Sequence, residues 1–291
     1  MREMAIRLGL SLAGVIAGLP HGLRRRIEGS LGWLLCHGVS RRRKIALRNL
    51  DLCLPALTAD QRRLIVREHF AHYARAFFDR FRLVKCDATH LQEWVVVTEQ
   101  WRLEALKGSP VIVLAPHFLG LDAGGVRLQL CAQIVSMYST QPSPSLNAWV
   151  LSVRSRFNAP VLLPRNDGIA RLARLVRRGR PAYFLPDMDF GARDAIFATF
   201  FGQPAATVTS VVRLAQLTGA AVLPLVTTMT ETGYEARFYP PWQHEKGEPI
   251  EVAVQKMNGF IEARVMENPS QYLWTHRRFK TQPPGAPSVY G

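Results

Sequence analysis

VIVLAPHFLGLDAGG, residues 111–125, decides how the rest of the chain is read. Its β-branched and apolar run at 111–114 leads into Pro116-His117, and Gly120 then separates the histidine from Asp122. This order predicts a buried strand that ends in a histidine, then a loop, then the start of a helix. The carboxyl end of such a strand is where α/β proteins bind substrates. With a carboxylate nearby, a histidine there has the parts of a general base and its orienting partner. Five residues on one continuous helix turn by roughly 140°. His117 and Asp122 therefore meet only if His117 precedes the helix and Asp122 lies in or near its first turn. Gly120 supplies the break, and an aspartate suits a helix start because it complements the unpaired backbone N–H groups. A strand-end histidine with Asp122 as a simple helix cap is the competing structural reading of the same residues.

Downstream, strand and helix patterns alternate. VIVLA is followed by a helix from about Asp122, then AQIVSMYS, a helix near 145–157, APVLLP, a helix at 169–178, AYFLP, a helix at 207–218 and AVLPLVTTM. Repeated βα units predict an α/β fold, a mostly parallel sheet flanked by helices on both faces. ARFYPPW adds a strand, 250–266 reads as a last long helix, and the Pro-rich tail after Lys280 reads as irregular. Upstream, Thr58 or Asp60 caps the amphipathic run ADQRRLIVREHFAHYARAFFDRFRLV, whose Phe70, Tyr73, Phe77, Phe78 and Phe81 belong to a core. His69 and His72 in that run stand i,i+3 with no third ligand in reach, so they read as structural and no metal site is expected.

The chain has 291 residues, a formal charge of +15 and 48% apolar residues. The apolar fraction excludes global disorder, and the charge predicts an anionic partner: nucleic acid, membrane or acidic protein. Cys36, Cys53, Cys86 and Cys131 are scattered without a C-x-x-C pair, so they read as isolated reduced thiols. The N-terminal MAIRLGLSLAGVIAGLP would make a helix of about 25 Å, slightly short of a bilayer core. Arg24, Arg25 and Arg26 follow, and the cluster 41–44 closes the region. Apolar segments alternating with arginines predict a hydrophobic N-terminal helical region (1–45) that anchors the chain at a membrane, with the remainder (46–291) as the catalytic domain.

Three further places carry candidate chemistry. Arg154 and Arg156 end a helix in LSVRSRFNAP and could clamp an anion or stabilise developing charge, although cations also suit a helix end for dipole reasons. FLPDMDFG ends a strand in Asp187 and Asp189, two acids that could hold a substrate group, a metal or Arg156. WTHRRFK at 274–280 is a basic patch with aromatics.

The ordered set of strand-H-x-x-x-x-D, a downstream arginine, LPDMDFG, FFGQPAAT and W-T-H-R-R-F-K resembles the late, secondary acyltransferases of lipid A biosynthesis, of the lauroyl and myristoyl type. The likeness runs from the ALRNL segment at Ala46 to the HRRFK end and includes the hydrophobic N-terminus with its arginines. The resemblance implies His117 as general base with Asp122 as its acidic partner, a position where many members have glutamate. It implies a substrate-binding role for Arg156, or less directly Arg154, and aligns Asp187 to Gly191 with a D-Q-D-x-G motif in which Met188 replaces glutamine. It further implies an acyl-acyl carrier protein donor, a lipid A precursor as acceptor, and a place on the cytoplasmic face of the bacterial inner membrane, with no cofactor. The positive charge suits all three: the carrier protein is acidic, the acceptor carries phosphates, and the membrane is anionic.

In that scheme the base takes the proton of an acceptor hydroxyl as it attacks a thioester carbonyl. No G-x-S-x-G elbow points to a covalent intermediate. A glycerolipid acyltransferase of the lysophosphatidate type shares the H-x-x-x-x-D logic, but FLPDMDFG stands where an F-P-E-G-T-type motif would be expected. A non-catalytic nucleic-acid binder explains the charge but lacks any zinc-finger, RRM or helix-turn-helix signature.

Overall fold

The computed structural model describes residues 2–242 and 247–290, with Asn166 by its backbone alone. Three helices open the chain: α1 (Arg2–Ala17), α2 (His21–Gly38) and α3 (Ser40–Cys53). Pro20, which cannot donate within a helix, separates the first two. The 27-residue α4 (Ala59–Lys85) is the longest element. Thr58 and Gln61 close a reciprocal capping box at its start, and Arg82 and Lys85 complement its carboxyl end. Its buried face carries Val66, His69, Phe70, Phe78 and Phe81, so the aromatics at 70, 78 and 81 are core, whereas Tyr73 is exposed.

After α5 (Ala88–Trp94), β1 (Val95–Thr98) and α6 (Trp101–Glu104), the βα series begins with β2 (Val111–Leu114) and α7 (Leu121–Leu128). It continues through β3 (Val135–Tyr138), α8 (Pro144–Arg154), β4 (Val161–Pro164), α9 (Ile169–Arg177) and β5 (Ala182–Phe184). A hairpin of β6 (Ala195–Phe200) and β7 (Gln203–Val208) precedes α10 (Ser210–Thr218), β8 (Ala221–Met229), β9 (Tyr234–Phe238) and α11 (Ile250–Glu267).

Seven strands form one sheet in the order β1-β9-β8-β2-β5-β3-β4. The five from β8 to β4 are parallel, β9 runs antiparallel to β8, and β1 pairs parallel with β9. All four residues of β2 are buried, as expected of a central strand covered on both faces. α7 presses closely on β8: a Cβ at Gly124 would stand 1.9 Å from Thr227 Oγ1, so this contact requires glycine.

Two boundaries differ from those the sequence predicts. The β6–β7 hairpin was not expected, and it moves the start of α10 from 207 to Ser210. Its two-residue turn, Phe201-Gly202, has positive φ at both positions (49° and 74°), the sense that matches strand twist. α8 stops at Arg154 rather than near 157, and Asn158 and Ala159 just beyond it take positive φ.

The membrane-anchoring region expected at 1–45 is not supported by a spanning helix. Among the described residues no helix is long and apolar enough to cross a membrane. α1 has 16 residues, and its polar side chains fasten it to the body. Glu3 accepts from Ser143 Oγ (2.8 Å) and from the Ser145 backbone N–H (2.8 Å), while Arg7 donates to Ser145 Oγ (2.9 Å). Ala13 and Ala17 pack with Phe78 and Phe81 of α4.

Candidate active site

His117 and Asp187 meet because of sheet register. β2 and β5 are parallel neighbours, with Leu114 opposite Phe184. Each strand then runs through a residue and a proline to a titratable group three positions on: Leu-Ala-Pro-His on one, Phe-Leu-Pro-Asp on the other. The histidine and the aspartate emerge side by side at the carboxyl edge of the sheet. Asp187 Oδ1 lies 2.7 Å from His117 Nδ1, and Oδ2 accepts the His117 backbone N–H at 2.9 Å. The Asp187 side chain is fully buried, while 13% of the His117 side chain remains exposed. Burial acts to raise the Asp187 pKa, but the adjacent His117 and its two hydrogen bonds, with the Arg278 charge, outweigh it and hold the carboxyl below its usual value. An ionised carboxylate can only accept, so the proton of a neutral ring sits on Nδ1 and Nε2 keeps its lone pair.

The expectation that Asp122 orients this imidazole is therefore corrected. Asp122 opens α7 as foreseen, but its oxygens are taken by two guanidiniums. Arg80 Nε of α4 donates to Oδ2 at 2.6 Å, and Arg154 Nε of α8 donates to Oδ1 at 3.0 Å. Burial pushes the Asp122 pKa up, and Arg154 and Arg80 more than reverse this, leaving it well below the usual carboxylate range. Five residues of separation in sequence invited the pairing with His117. Two fixed cations facing the carboxylate from α4 and α8 take it instead.

Arg156, the other candidate anion clamp, is turned toward the end of α4. Its Nε donates to the Leu83 carbonyl and its Nη2 to the Cys86 carbonyl, each at 2.9 Å. These are carbonyls that a terminating helix leaves without an internal partner. Arg154 is 34% exposed and Arg80 27%, so both reach solvent while holding Asp122.

Asp189 fastens the carboxyl-terminal segment over the site. It accepts from the Gly191 N–H (2.9 Å), the Thr281 N–H (2.6 Å) and the Thr281 hydroxyl (2.8 Å), and its own N–H donates to His276 Nε2 at 2.9 Å. Burial, followed by the His117 and Arg278 charges, pushes His276 down to about 4, so it stands neutral beside the site. The Leu273 N–H donates to the His117 carbonyl (3.0 Å), and the Leu119 N–H donates to the Gln271 carbonyl (2.9 Å). Asn49 of α3 holds the Trp274 and His276 carbonyls at 2.7 and 2.8 Å. The basic patch 274–280 is thus a strap tied across the strand ends, with Arg278 buried and bonded to Ala206 and Thr207.

A small cavity of about 10 Å³ adjoins the ring, lined among others by Asn49, His117, Asp187, Tyr272 and His276. That is room for about one water. Among the described residues no group of three or more His, Cys, Asp or Glu is placed to hold a metal ion. The four cysteines are free thiols, three of them buried.

Sequence reasoning missed Arg80, Asn49, Tyr272 and Thr281. No local motif marks them, since their partners lie 42 or more residues away. One available signal was the repeated pattern of residue-Pro-titratable group after two apolar runs.

An imidazole backed by a buried carboxylate at the carboxyl edge of a parallel sheet defines an α/β protein equipped for proton transfer. The pattern of the bacterial lipid A biosynthesis acyltransferases matches residues 1–281, and the chain belongs to that family. It is 31% identical over 286 residues to a lipid A biosynthesis acyltransferase of Haemophilus influenzae, covering 96% of this chain and 89% of that protein. It is 28% identical over 288 residues to the lipid A biosynthesis lauroyltransferase of Escherichia coli, covering 97% and 94%. With the myristoyltransferase of the same organism it shares 30% identity over 292 residues, covering 97% and 89%. The protein is an acyltransferase of lipid A, and so of lipopolysaccharide, biosynthesis.

Proposed function

We propose that the protein moves a fatty acyl chain from acyl-acyl carrier protein to a hydroxyl of a lipid A precursor, with His117 as general base and Asp187 as the group that orients it. The observation that carries this reading is the 2.7 Å contact between His117 Nδ1 and Asp187, which leaves Nε2 as the free base. Nε2 takes the acceptor hydroxyl proton while the oxygen attacks the thioester carbonyl carbon. The tetrahedral intermediate collapses with cleavage of the C–S bond, and the departing thiolate takes the proton back from the imidazolium. Asp187 holds the tautomer and balances the imidazolium charge. A positioned base of this kind contributes about 10²–10⁴-fold in rate.

The cavity beside the ring admits only about one water, so the acceptor hydroxyl approaches over the exposed part of His117. Arg154 at the end of α8 and Arg80 on α4, about one third and one quarter exposed, offer remaining N–H donors to an acceptor phosphate. Asp122 fixes both guanidiniums. Asp189 holds the carboxyl-terminal strap in place over the site. The net charge of +15 favours an acidic carrier protein and an anionic membrane surface alike, and the reading places the enzyme on the cytoplasmic face of the bacterial inner membrane with residues 1–45 toward the lipid.

A purified-enzyme assay that offers acyl-acyl carrier protein with either lipid A precursor or lysophosphatidate tests the reading. The expected result is transfer to the lipid A precursor, lowered by about 10²–10⁴-fold in His117→Ala. Transfer to lysophosphatidate alone, or full activity in His117→Ala, overturns it.

A further inference from the structure

Alternate residues of β2 divide the helices between the two faces of the sheet. Ile112 and Leu114 pack in one core with Leu172 and Val176 of α9 and with Val211 and Leu214 of α10. Val111 and Val113 pack in another with Val126 of α7 and Val153 of α8. Successive side chains of a strand point to opposite faces, so α9 and α10 lie across the sheet from α7 and α8. α1, bonded to Ser143 and Ser145 at the start of α8, is on the far side from α9.

The exposed face of α9 is a stripe of arginines. Arg171, Arg174 and Arg178, the last at the C-cap, are exposed and recur at three- and four-residue steps. From Gly168 to Pro186 the chain has five arginines and no acid. α10 lies alongside, joined where Arg177 donates to the Leu217 carbonyl, and it adds the exposed Arg213 and no acid. Arg171 pairs with Asp167 at 2.8 Å, but Arg174, Arg178 and Arg213 make no ion pair among the described residues. Like charges three and four positions apart on a helix repel and cost stability, so the stripe does not serve the fold. Its upper end is at the catalytic edge. α9 follows β4, and its first turn therefore stands at the carboxyl ends of the parallel strands, where His117 and Asp187 emerge. Arg165, between β4 and α9, lies 3.6 Å over the ring of Phe190, which is three residues past Asp187. From there the helix runs about 14 Å away from the site.

We propose that the arginine stripe of α9, with Arg213 of α10, is the docking surface for the acidic carrier protein that brings the acyl thioester to His117. This rests on the reading that the donor is acyl-acyl carrier protein, and it adds where that donor binds. Charge complementarity selects the partner: a row of arginines, mostly unpaired, matches an acidic protein surface. A bilayer is met by apolar side chains inserted beside the cations, and on α9 only Ile169, at the first position, is a large apolar residue left exposed.

Steady-state transfer to detergent-dispersed lipid A precursor, with acyl-acyl carrier protein or the carrier-free acyl-pantetheine thioester as donor, tests this. Arg174→Glu/Arg178→Glu should raise KM for acyl-acyl carrier protein by on the order of tenfold at low ionic strength and flatten its dependence on salt. Its kcat, and its transfer from acyl-pantetheine, should match wild type. Arg213→Glu should move KM for the carrier in the same direction. Arg25→Glu/Arg26→Glu makes an equal charge change at exposed positions of α2 and should leave that KM near wild type. Circular dichroism of all three variants should match wild type. An unchanged KM in Arg174→Glu/Arg178→Glu, or an equal rise in Arg25→Glu/Arg26→Glu, overturns the docking surface and leaves the donor reading intact. An unchanged KM together with weakened binding to phosphatidylglycerol vesicles assigns the stripe to lipid and likewise overturns the proposal. Wild-type enzyme that uses acyl-pantetheine and acyl-acyl carrier protein with equal KM overturns the donor reading itself.

Discussion

Asp187 and Asp122 are both buried and both ionised, one just beyond β5 and the other in the first turn of α7, yet they face opposite kinds of partner. Asp187 meets an imidazole, whose charge can change during a reaction. Asp122 meets Arg80 and Arg154, whose charges cannot. A carboxylate saturated by two guanidiniums has no reason to hold a histidine tautomer. A carboxylate whose strongest partner titrates does. The H-x-x-x-x-D spacing thus joins two environments, an imidazole on a buried carboxylate at its histidine and an ion-pair clamp of three helices at its aspartate.

The comparison can be broken by exchanging the two acids' expected phenotypes. Asp187→Asn presents an amide that can donate to Nδ1 and so move the ring proton to Nε2. Asp187→Asn and His117→Ala should each lower kcat by about 10²–10⁴-fold while the thermal unfolding profile stays close to wild type. Asp122→Ala strands two arginines around a buried gap, and loss of one partner from such a cluster costs about 3–5 kcal/mol. Chemical denaturation should register that loss, and the folded fraction should show a raised KM for the acceptor, through the loosened Arg80 and Arg154, with kcat close to wild type. Asp122→Ala that folds normally but is inactive, with Asp187→Asn fully active, would sink the assignment.

A smaller effect should appear on acidification. His69 and His276 are pushed from the ordinary 6.5 down to about 4, in both cases chiefly by burial. The neutral forms are the folded ones, so the unfolded chain binds the extra protons. Stability should be constant above about pH 6.5 and fall as pH drops from 6.5 toward 4, by roughly 3 kcal/mol for the fully buried His69. Denaturant titrations at pH 7.0, 5.5 and 4.5, with His69→Gln as the variant with a shallower slope, check this. Smallest of all, Arg156→Ala should cost about 1–3 kcal/mol by leaving the Leu83 and Cys86 carbonyls without their donor, with KM for the acceptor unchanged. A rise in KM without loss of stability would return Arg156 to substrate binding.

Much of the fold was legible because it depends on local pattern. The β-branched runs at 111–114 and 221–229, a cap at Thr58 or Asp60 and the long amphipathic α4 each announce themselves within a few residues. The β6–β7 hairpin escaped because its signal is a Phe-Gly turn in a stretch of small residues and prolines, without an Asn-Gly or Asp-Gly turn. His117 was legible from its place after a buried strand. Its partner was not, because the nearest acid in sequence was Asp122, and only strand order brings residue 187 beside residue 117. Arg156 was misread for a related reason: an arginine after a helix looks the same whether it clamps a ligand or closes the end of another helix 70 residues away. The attachment of α1 to the body was not legible, because hydropathy does not reveal that Glu3 and Arg7 would find partners at Ser143 and Ser145.

His117 and Asp187 each stand three residues beyond a paired position, Leu114 opposite Phe184. Alignment of base and orienting acid is therefore inherited from the ladder between two strands, not adjusted by a loop. A slip of one residue along that ladder would turn alternate side chains to the opposite face and part the two groups completely. Under the proposed mechanism a misregistered sheet would leave molecules inactive, not slow, so an imperfectly folded preparation should lose kcat in proportion to its active fraction with KM unchanged.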